Sequence, residues 1–558
     1  MALTTGPMLS SFFPFTKNTG ASSLKAAVPL GLLLGLVALP FLALIWIAIN
    51  ASFDGWPHLL AYVLPHSAWQ TFVLLSFVTL GTTLVGAGTA WLTTLCQFPG
   101  RRVFAWALVL PLAVPTYIAA YTHVEFFDFS GPLQTMVRTI GGFSTAREYW
   151  FPDIRSLGGA GLIFSAVLYP YVYLTCRLVF SMQGASVLDV ARSLGARPVR
   201  QFWEIGLPMA RPALAAGVAL ALMETLNDIG AVEILGVKTL SYAIFETWLN
   251  RDSLAGAVQL ALLTLLLVAA LIWIERVARR KRSYASSTRD KPPSLLQLNP
   301  FKQTLCILAC LLPLIAGLGI PLFVLGTYAL RRLDGLLDPA LYSAATNSIL
   351  IAFLTASLAT LIAYGVLQYG RINKQASIST IGRIASLGYA VPGTVLAVGL
   401  LVSLAGFDNW LDGIMRTQFG VSTGLLFSGS IIIVVYACTL RFLAIAYGTI
   451  ETGFSKVSPH IDMAARALGR SPLQTAWQVH RPIMGRALGT AFLLVFVDTM
   501  KELSATLLLR PFDFETLATF IYDRASQSAL EEAAIAALLI ILIGLIPVIF
   551  LSRLNVKR

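Results

Sequence analysis

Twelve apolar runs of about 20 residues are spread along this chain of 558 residues. Because a backbone that crosses hydrocarbon must satisfy its own hydrogen bonds, each run predicts a transmembrane helix. The sequence therefore predicts an all-α, polytopic membrane protein with about 12 transmembrane helices, six in each half. The runs lie near residues 26–50, 71–96, 103–122, 158–180, 213–235, 254–275, 304–329, 346–369, 380–404, 425–448, 487–508 and 530–552.

The charged residues lie mostly between these apolar runs. They make up 12% of the chain, whereas soluble proteins have about 25%. The 40 Lys and Arg residues outnumber the 27 Asp and Glu residues and concentrate in alternate loops. This pattern is typical of a topology signal, so it indicates a lipid bilayer and not a nucleic acid as the partner. The positive-inside rule places the loops 181–212 and 449–486, and both chain termini, in the cytoplasm.

An internal repeat relates the two halves. A shift of 274 residues aligns DVARSLGARPVRQFWEIGLP at 189–208 with MAARALGRSPLQTAWQVHRP at 463–482 without a gap. The same shift aligns METLNDIGA at 223–231 with VDTMKELSA at 497–505. One half is therefore a divergent copy of the other. The recurring loop residues are Ala191, Arg192, Leu194, Gly195, Pro198, Trp203 and Pro208, which match Ala465, Arg466, Leu468, Gly469, Pro472, Trp477 and Pro482.

Each copy of this loop predicts a short helix, a turn and a second helix. Gly195 and Gly469 suit a helix stop, and Pro198 and Pro472 suit the first turn of the next helix. Such a unit could dock a cytoplasmic partner. The alternative is an amphipathic loop that lies on lipid headgroups through its arginines. Two copies with the same Gly-to-Pro spacing favour docking.

Both loops resemble a motif of the membrane permeases of bacterial ABC importers, which reads E-A-A, three residues, G, nine residues, I-x-L-P. This chain has D-V-A-R-S-L-G with I-G-L-P and M-A-A-R-A-L-G with V-H-R-P. The Glu of the motif is replaced by Asp189 in one copy and by Met463 in the other, and Arg481 replaces the Leu before Pro482, so the second loop is expected to dock less tightly or against a different surface. The resemblance implies coupling loops at 182–212 and 455–486 that contact an ATPase through Asp189, Ala191, Arg192, Gly195, Pro208, Ala464, Ala465, Arg466, Gly469 and Pro482.

The resemblance also implies two fused, pseudo-symmetric permease domains of six helices each in a bacterial inner membrane. The first apolar run is too long for the hydrophobic region of a signal peptide, so we expect it to be the first transmembrane helix. The predicted organisation is a cytoplasmic tail (1–25), a first permease domain (26–275), a basic cytoplasmic linker (276–303), a second permease domain (304–552) and a cytoplasmic tail (553–558).

The sequence contains no phosphate-binding G-x-x-x-x-G-K-[ST] motif, and its five His residues show no metal-ligand spacing. We therefore expect a transport subunit that is not itself an enzyme and that binds no cofactor. The resemblance implies that ATP and Mg belong to two copies of a separate cytoplasmic ABC ATPase. It also implies a periplasmic substrate-binding protein, which would dock on the outer loops 123–157, 236–253 and 509–529.

Two acidic pairs lie within predicted membrane helices. Glu224 with Asp228, and Asp498 with Glu502, are each spaced i, i+4, so both carboxylates of a pair are expected on one helix face. Charged groups inside a membrane usually face a polar interior. These four carboxylates are expected to converge on the pseudo-symmetry axis and are thus the candidate translocation path, suited to a hard cation but not to a tight metal site. The alternative is that they buttress helix contacts or pair with Lys501 and loop arginines.

The strings METLNDIGAVEILGV and KELSATLLLRPFDFETLATFIYDRAS resemble the fused permeases of ferric-iron importers. Ferric iron is therefore the first expectation for the cargo, with thiamine, phosphonate or polyamine as alternatives in the same importer class. An ion-coupled secondary transporter would also have about 12 helices and intramembrane acids. It would not need a duplicated docking loop.

Overall fold

The computed structural model describes residues 21–50, 56–182, 191, 193–196, 198–279, 295–373 and 386–556. Almost all regular structure in these residues is helical, which confirms the predicted all-α fold. Asp189 and Arg192 of the first loop, and residues 280–294 of the linker, lie outside the described residues.

The described part of the first half consists of helices joined by short breaks. Its short breaks are π-helical turns at Leu59–Val63 and Gln201–Gly206 and a 3-10 turn at Leu110–Ala113. The helices are α1 (Ala21–Asn50), α2 (Trp56–His58), α3 (Leu64–Leu95), α4 (Arg101–Ala107), α5 (Thr116–Phe127), α6 (Pro132–Gly141), α7 (Leu157–Met182), α8 (Pro198–Arg200), α9 (Leu207–Asn227), α10 (Gly230–Ile234), α11 (Leu240–Leu249) and α12 (Leu254–Arg279).

The second half repeats this plan. Its short breaks are π-helical turns at Ile315–Gly319 and Thr475–His480 and 3-10 turns at Leu333–Leu337 and Ser386–Ala390. The helices are α13 (Pro300–Leu314), α14 (Ile320–Arg331), α15 (Pro339–Asn373), α16 (Gly393–Phe419), α17 (Ile431–Phe454), α18 (Pro459–Ala467), α19 (Pro472–Gln474), α20 (Arg481–Met500), α21 (Ser504–Leu509), α22 (Leu517–Ser526) and α23 (Leu530–Val556).

Irregular features of the backbone recur under the 274-residue shift. The π-helical turn Gln201–Gly206 aligns with the π-helical turn Thr475–His480, and α8 aligns with α19, residue for residue. Hydrophobic periodicity alone would not place a π-helical turn at the same site twice. The duplication seen in the sequence is therefore also a duplication of local structure.

Eleven helices in the described residues are long and apolar enough to span a membrane. A further pair, Arg101–Ala113 with Thr116–Gly141, is bent by 95° and brings the number to 12 if it is one span. The predicted third helix at 103–122 is therefore wrong as a continuous helix. Pro115 precedes α5 and lacks the N–H that a continuing helix would need, which explains the break.

Three other predicted spans need correction. The span predicted at 380–404 begins at Gly393, directly after Pro392, and continues to Phe419. The spans predicted at 213–235 and 487–508 end at Asn227 and Met500, and a short helix follows each break. Apolar runs continue across these breaks, so hydropathy could not reveal them.

Helices of each half pack against the other half. α1 lies against α16, where the Tyr436 hydroxyl of the adjacent α17 donates to the Leu36 carbonyl oxygen at 2.5 Å. In the opposite direction, α14 of the second half packs against α5 of the first. Residues within the predicted linker (276–303) also contact the first half, because β2 (Leu296–Gln297) pairs in parallel with β1 (Cys96–Gln97). The two halves are thus interlocked at several points.

Candidate functional site

The helix α9 stops at a carboxylate in the middle of an apolar segment. Asp228 follows the last residue of α9 in an extended conformation, and its Oδ1 accepts a hydrogen bond of 2.7 Å from the Ala231 amide of α10. The Thr116 hydroxyl donates to the other carboxylate oxygen. A side chain that satisfies free amides in this way stabilises the start of a new helix. Asp228 therefore holds the break between α9 and α10.

Glu502 has the corresponding position after α20. Its Oε1 accepts from the Ala505 amide at 2.9 Å, and its Oε2 accepts from the Thr506 amide and hydroxyl at 3.0 and 2.8 Å. Arg441 of α17 donates to Oε1 at 2.7 Å, and both side chains are almost fully buried. All these partners hold Glu502 in place between α20 and α21.

The two breaks meet where the halves contact each other. The Ser504 hydroxyl donates to the Asn227 carbonyl oxygen at 2.6 Å, and the Gly393 amide donates to Asn227 Oδ1 at 2.6 Å. The backbones approach closely at Gly393, where a Cβ would lie 3.0 Å from the Ala505 nitrogen. Close backbone packing thus joins the break of one half to that of the other.

An internal cavity of about 70 Å³ lies at this junction. All four candidate acids line it, so the structure brings together the residues that the sequence predicts to converge. The other polar side chains that line the cavity are Thr116, Tyr117, Tyr171, Asn227, Tyr389, Arg441, Lys501 and Ser504.

The prediction that each acidic pair shares one helix face is wrong. Glu224 and Asp498 lie within α9 and α20, whereas Asp228 and Glu502 lie beyond the ends of these helices. The reason is the capping just described, which ends the helix before the fourth residue of the spacing. The acids therefore form two classes, with Glu224 and Asp498 partly exposed and Asp228 and Glu502 buried.

Both positively charged side chains that line the cavity belong to the second half. Lys501 Nζ lies 2.8 Å from Asp498 Oδ1, and Arg441 pairs with Glu502. Under the 274-residue shift, their counterparts in the first half are Asn227 and Val167. Among the described residues, neither Glu224 nor Asp228 forms an ion pair; they accept hydrogen bonds from Tyr389 and Thr116 instead. The carboxylates that lack a positively charged partner therefore belong to the first half.

Sequence reasoning missed Arg441 and the three tyrosines. Arg441 lies inside the apolar run 425–448, and its intramembrane charge was the signal that could have identified it. The alternative reading of the acids holds in part, because Asp498 does pair with Lys501. Glu502, however, pairs with an arginine in a membrane helix and not in a loop.

The basic loops have the predicted turn. Gly195 and Gly469 adopt φ angles of 79° and 74°. The Ala196 amide bonds the Ala191 carbonyl and the Arg470 amide bonds the Ala465 carbonyl, each at 3.0 Å and at matched positions. A positive φ at a helix end favours glycine. Ser471 and Gln474 then form a capping box at the start of α19.

Three apolar side chains on each loop are exposed to the same extent. Leu194, Val199 and Trp203 are 81%, 70% and 54% exposed, and the matching Leu468, Leu473 and Trp477 are 80%, 69% and 54% exposed. We call these sets the first and second apolar triplets. Ala464, Arg466 and Pro482 lie on the same loop as the second triplet, and Pro208 follows the first. Arg481, which departs from the motif, lies over the Trp477 ring at 4.8 Å.

The second loop is also bonded to the membrane helix α15. Arg371 Nε donates to Asp462 Oδ2 at 2.8 Å, and its Nη2 donates to the carbonyls of Val457 and Ser458 at 3.0 and 3.1 Å. His480 lies between Asp462, at 2.6 Å, and Gln368 of α15, at 2.9 Å. At the equivalent positions the first half has Gln97 for Arg371, Gly206 for His480 and Thr94 for Gln368. This polar cluster is therefore specific to the second half.

Within the described ranges, no group of three or more His, Cys, Asp or Glu side chains is arranged to hold a metal ion. The cavity acids instead have partners from the protein itself. The arrangement offers carboxylate and hydroxyl oxygens around a small polar space, without a preformed coordination shell.

Comparisons with known proteins show which proteins this chain is similar to. Residues 97–284 match the family model of the binding-protein-dependent transport system inner membrane component. An Fe(3+)-transport system permease protein, FbpB 2, of Haemophilus influenzae is 26% identical over 489 residues, which covers 87% of this chain and 89% of that protein. A ferric transport system permease protein, FbpB, of Actinobacillus pleuropneumoniae is 22% identical over 86% of this chain and 70% of its own length.

A shorter relative matches one region only. The sulfate transport system permease protein CysW of Escherichia coli K12 is 30% identical over 213 residues, 37% of this chain and 70% of that protein. The broken helices and the repeated loop are consistent with these similarities. The chain belongs to the family of inner membrane components of binding-protein-dependent transport systems.

Proposed function

We propose that this permease is the transmembrane subunit of an ATP-driven importer that carries ferric iron from a periplasmic binding protein across the inner membrane. It works with two copies of a separate cytoplasmic ABC ATPase, and both of its termini are cytoplasmic. The observation that supports the ATPase partner most directly is the pair of apolar triplets, which have equal exposure on matched loops.

Exposed Leu and Trp side chains on a charged loop need a partner surface to leave water. Two equal surfaces related by the internal repeat fit two copies of one partner arranged with two-fold symmetry. The described coupling residues Ala191, Gly195, Ala464, Ala465, Arg466 and Gly469 lie in the same two loops as these surfaces. ATP and Mg remain on that partner, and this chain contributes no catalytic group.

The cargo assignment rests on the length of the similarity and on the cavity. The two ferric permeases match both halves of the chain, whereas the sulfate permease matches about a third of it. Ferric iron is a hard cation that prefers oxygen ligands, and Glu224 and Asp498 present carboxylates to the cavity. Four acids against two cations give a formal charge of −2 when all six groups are ionised.

A second candidate cargo is a small oxyanion or phosphonate. The observation in its favour is that Arg441 and Lys501 line the same cavity. Relatives named for sulfate and 2-aminoethylphosphonate transport are also similar to parts of this chain. Both cations are, however, neutralised by carboxylates at 2.7 and 2.8 Å, which makes the cation the better fit.

Reconstitution in proteoliposomes with the ATPase and the binding protein tests the proposal. Uptake of radioactive ferric iron should require internal ATP and both partners. Uptake driven by a proton or sodium gradient without an ATPase would contradict the importer. Stimulation of ATP hydrolysis by a binding protein loaded with sulfate or phosphonate, but not with ferric iron, would contradict the cargo and support the second candidate.

A further inference from the structure

The four carboxylates of the cavity differ in how many of their oxygens are already bonded. Both oxygens of Asp228 and of Glu502 accept hydrogen bonds from the polypeptide that follows or faces them. Glu224 accepts from the Tyr389 hydroxyl, and Asp498 has Lys501 as its partner. Glu224 and Asp498 therefore retain the capacity to bind a ligand, while Asp228 and Glu502 hold the backbone.

Lys501 and Arg441 differ in how deeply they and their partners are buried. Arg441 and Glu502 are 6% and 1% exposed, whereas Lys501 and Asp498 are 28% and 24% exposed. A lysine is a point charge on a flexible stem and can leave its partner at small conformational cost, unlike a buried arginine held in a fixed geometry. Of the two cations, Lys501 is the one that can move within the cavity.

The cavity also contains a polar group without a partner. Tyr117 lines it and is 3% exposed, and its hydroxyl has no hydrogen-bond partner among the described residues. Buried hydroxyl groups are almost always bonded, so an unpaired one beside a polar cavity indicates space for a further ligand. This observation is independent of the acids and points to an occupant that the protein does not itself supply.

We infer that Lys501 is a tethered counterion that takes the place of the cargo cation beside Asp498. A passing cation must displace its ammonium group to reach Asp498 and Glu224 together. The competition keeps the cavity from retaining the cargo, as a conduit requires. Lys501 is thus a specificity-determining residue, since a cation of higher charge displaces the ammonium group more readily than one of lower charge. The inference rests on the proposed transport of a cation.

Equilibrium binding of Tb³⁺ to the purified full-length permease tests this role without the ATPase. Terbium serves as a redox-inert, hard trivalent probe. Lys501→Met should bind Tb³⁺ at least tenfold more tightly than wild type, because Asp498 then lacks its counterion and can bind the probe together with Glu224. The double variant Lys501→Met with Asp498→Asn should return to wild-type affinity, and Lys501→Arg should remain close to wild type.

Two further variants control for folding and for surface binding. Lys501→Asn introduces the residue type found at the equivalent position 227 and should also tighten binding, if the methionine variant is too unstable to purify. Lys302→Met removes an exposed lysine of α13 and should leave Tb³⁺ affinity unchanged. Wild-type affinity in both Lys501→Met and Lys501→Asn, or tight binding that persists in the double variant, would overturn the inference.

This outcome is separable from that of the proposed function. If wild type transports iron with ATP but both neutral Lys501 variants bind Tb³⁺ no better than wild type, only the counterion role fails. If the variants bind Tb³⁺ as expected but uptake needs no ATP, the counterion role stands and the importer fails.

Discussion

Arg371 of α15 and Asp462 of α18 join a membrane helix to the second basic loop through a hydrogen bond of 2.8 Å between Nε and Oδ2. The side chains are 17% and 22% exposed, so the pair is shielded from most of the solvent. Because Arg371 also bonds the carbonyls of Val457 and Ser458, it fixes the segment that enters α18. A displacement of α18 would therefore be transmitted to α15.

Replacing Arg371 by methionine should uncouple ATP hydrolysis from transport. The change leaves Asp462 without its cation and frees the carbonyls of Phe454, Val457 and Ser458, at a cost below the ~3–5 kcal/mol of a fully buried pair. We expect uptake per ATP hydrolysed to fall several-fold in proteoliposomes. Gln97→Met changes the equivalent position of the first half and should have a smaller effect. Equal losses in both variants would argue against a role specific to the second loop.

Introducing a charge into either apolar triplet should weaken ATPase binding. Leu194→Asp and Leu468→Asp place a carboxylate at positions that are 81% and 80% exposed, so folding should be unaffected. Each change should lower the affinity for the ATPase at least tenfold. Co-purification, and binding of the ATPase to the immobilised permease, measure this affinity. Leu425→Asp alters an exposed leucine of the loop before α17 and serves as the control.

The two loops should also respond unequally to loss of their turn glycines. Gly195→Ala and Gly469→Ala force alanine into a positive φ, at a cost of about 1 kcal/mol in each loop. Two features distinguish the second half. Arg481 lies over the Trp477 ring, and Arg371 bonds Asp462. We therefore expect different losses of stimulated ATPase activity. Identical losses would show that the ATPase contacts both loops alike.

Amide substitutions should separate the two classes of cavity acid. Glu224→Gln and Asp498→Asn together should reduce uptake at least tenfold with little change in melting temperature. Glu502→Gln should instead lower the melting temperature, because it leaves the buried Arg441 without its counter-charge, at a cost of about 3–5 kcal/mol. Normal uptake by the Glu224 and Asp498 double variant would show that these acids have only a structural role.

A methyl group at Gly393 should push the two helix breaks apart. Its Cβ would lie 3.0 Å from the Ala505 nitrogen and 3.1 Å from Ser504 Cβ. We expect Gly393→Ala to lower both the melting temperature and the uptake rate. Gly406 lies in the same helix with nothing within 4 Å of a Cβ, so Gly406→Ala should be neutral or slightly stabilising. Equal melting temperatures for the two variants would contradict the close approach.

The sequence was sufficient for features that depend on local pattern. Apolar runs located most spans, and the matched Gly195 and Gly469 predicted a repeated turn that the structure has at both sites. The convergence of the four acids also followed from the repeat, since residues at matched depth in two similar halves face a common axis.

Features that depend on tertiary partners could not be predicted. Nothing in the apolar pattern around Asp228 distinguishes a helix that continues from one that ends, because the choice depends on Thr116, which is 112 residues away. The pairing of Arg441 with Glu502 spans 61 residues and joins α17 to the break between α20 and α21. Such contacts exist only once the helices have assembled, so a single sequence carries no direct sign of them.

The packing of α1 against α16 has a consequence for how the chain is held together. Each half has its leading helix among the helices of the other, so the covalent linker is not what keeps the halves associated. A chain cut between residues 279 and 295, or two halves expressed from separate genes, should still co-purify as one particle. The peptide connection then mainly guarantees equal amounts of two unlike halves, which a pair of independent genes would have to regulate.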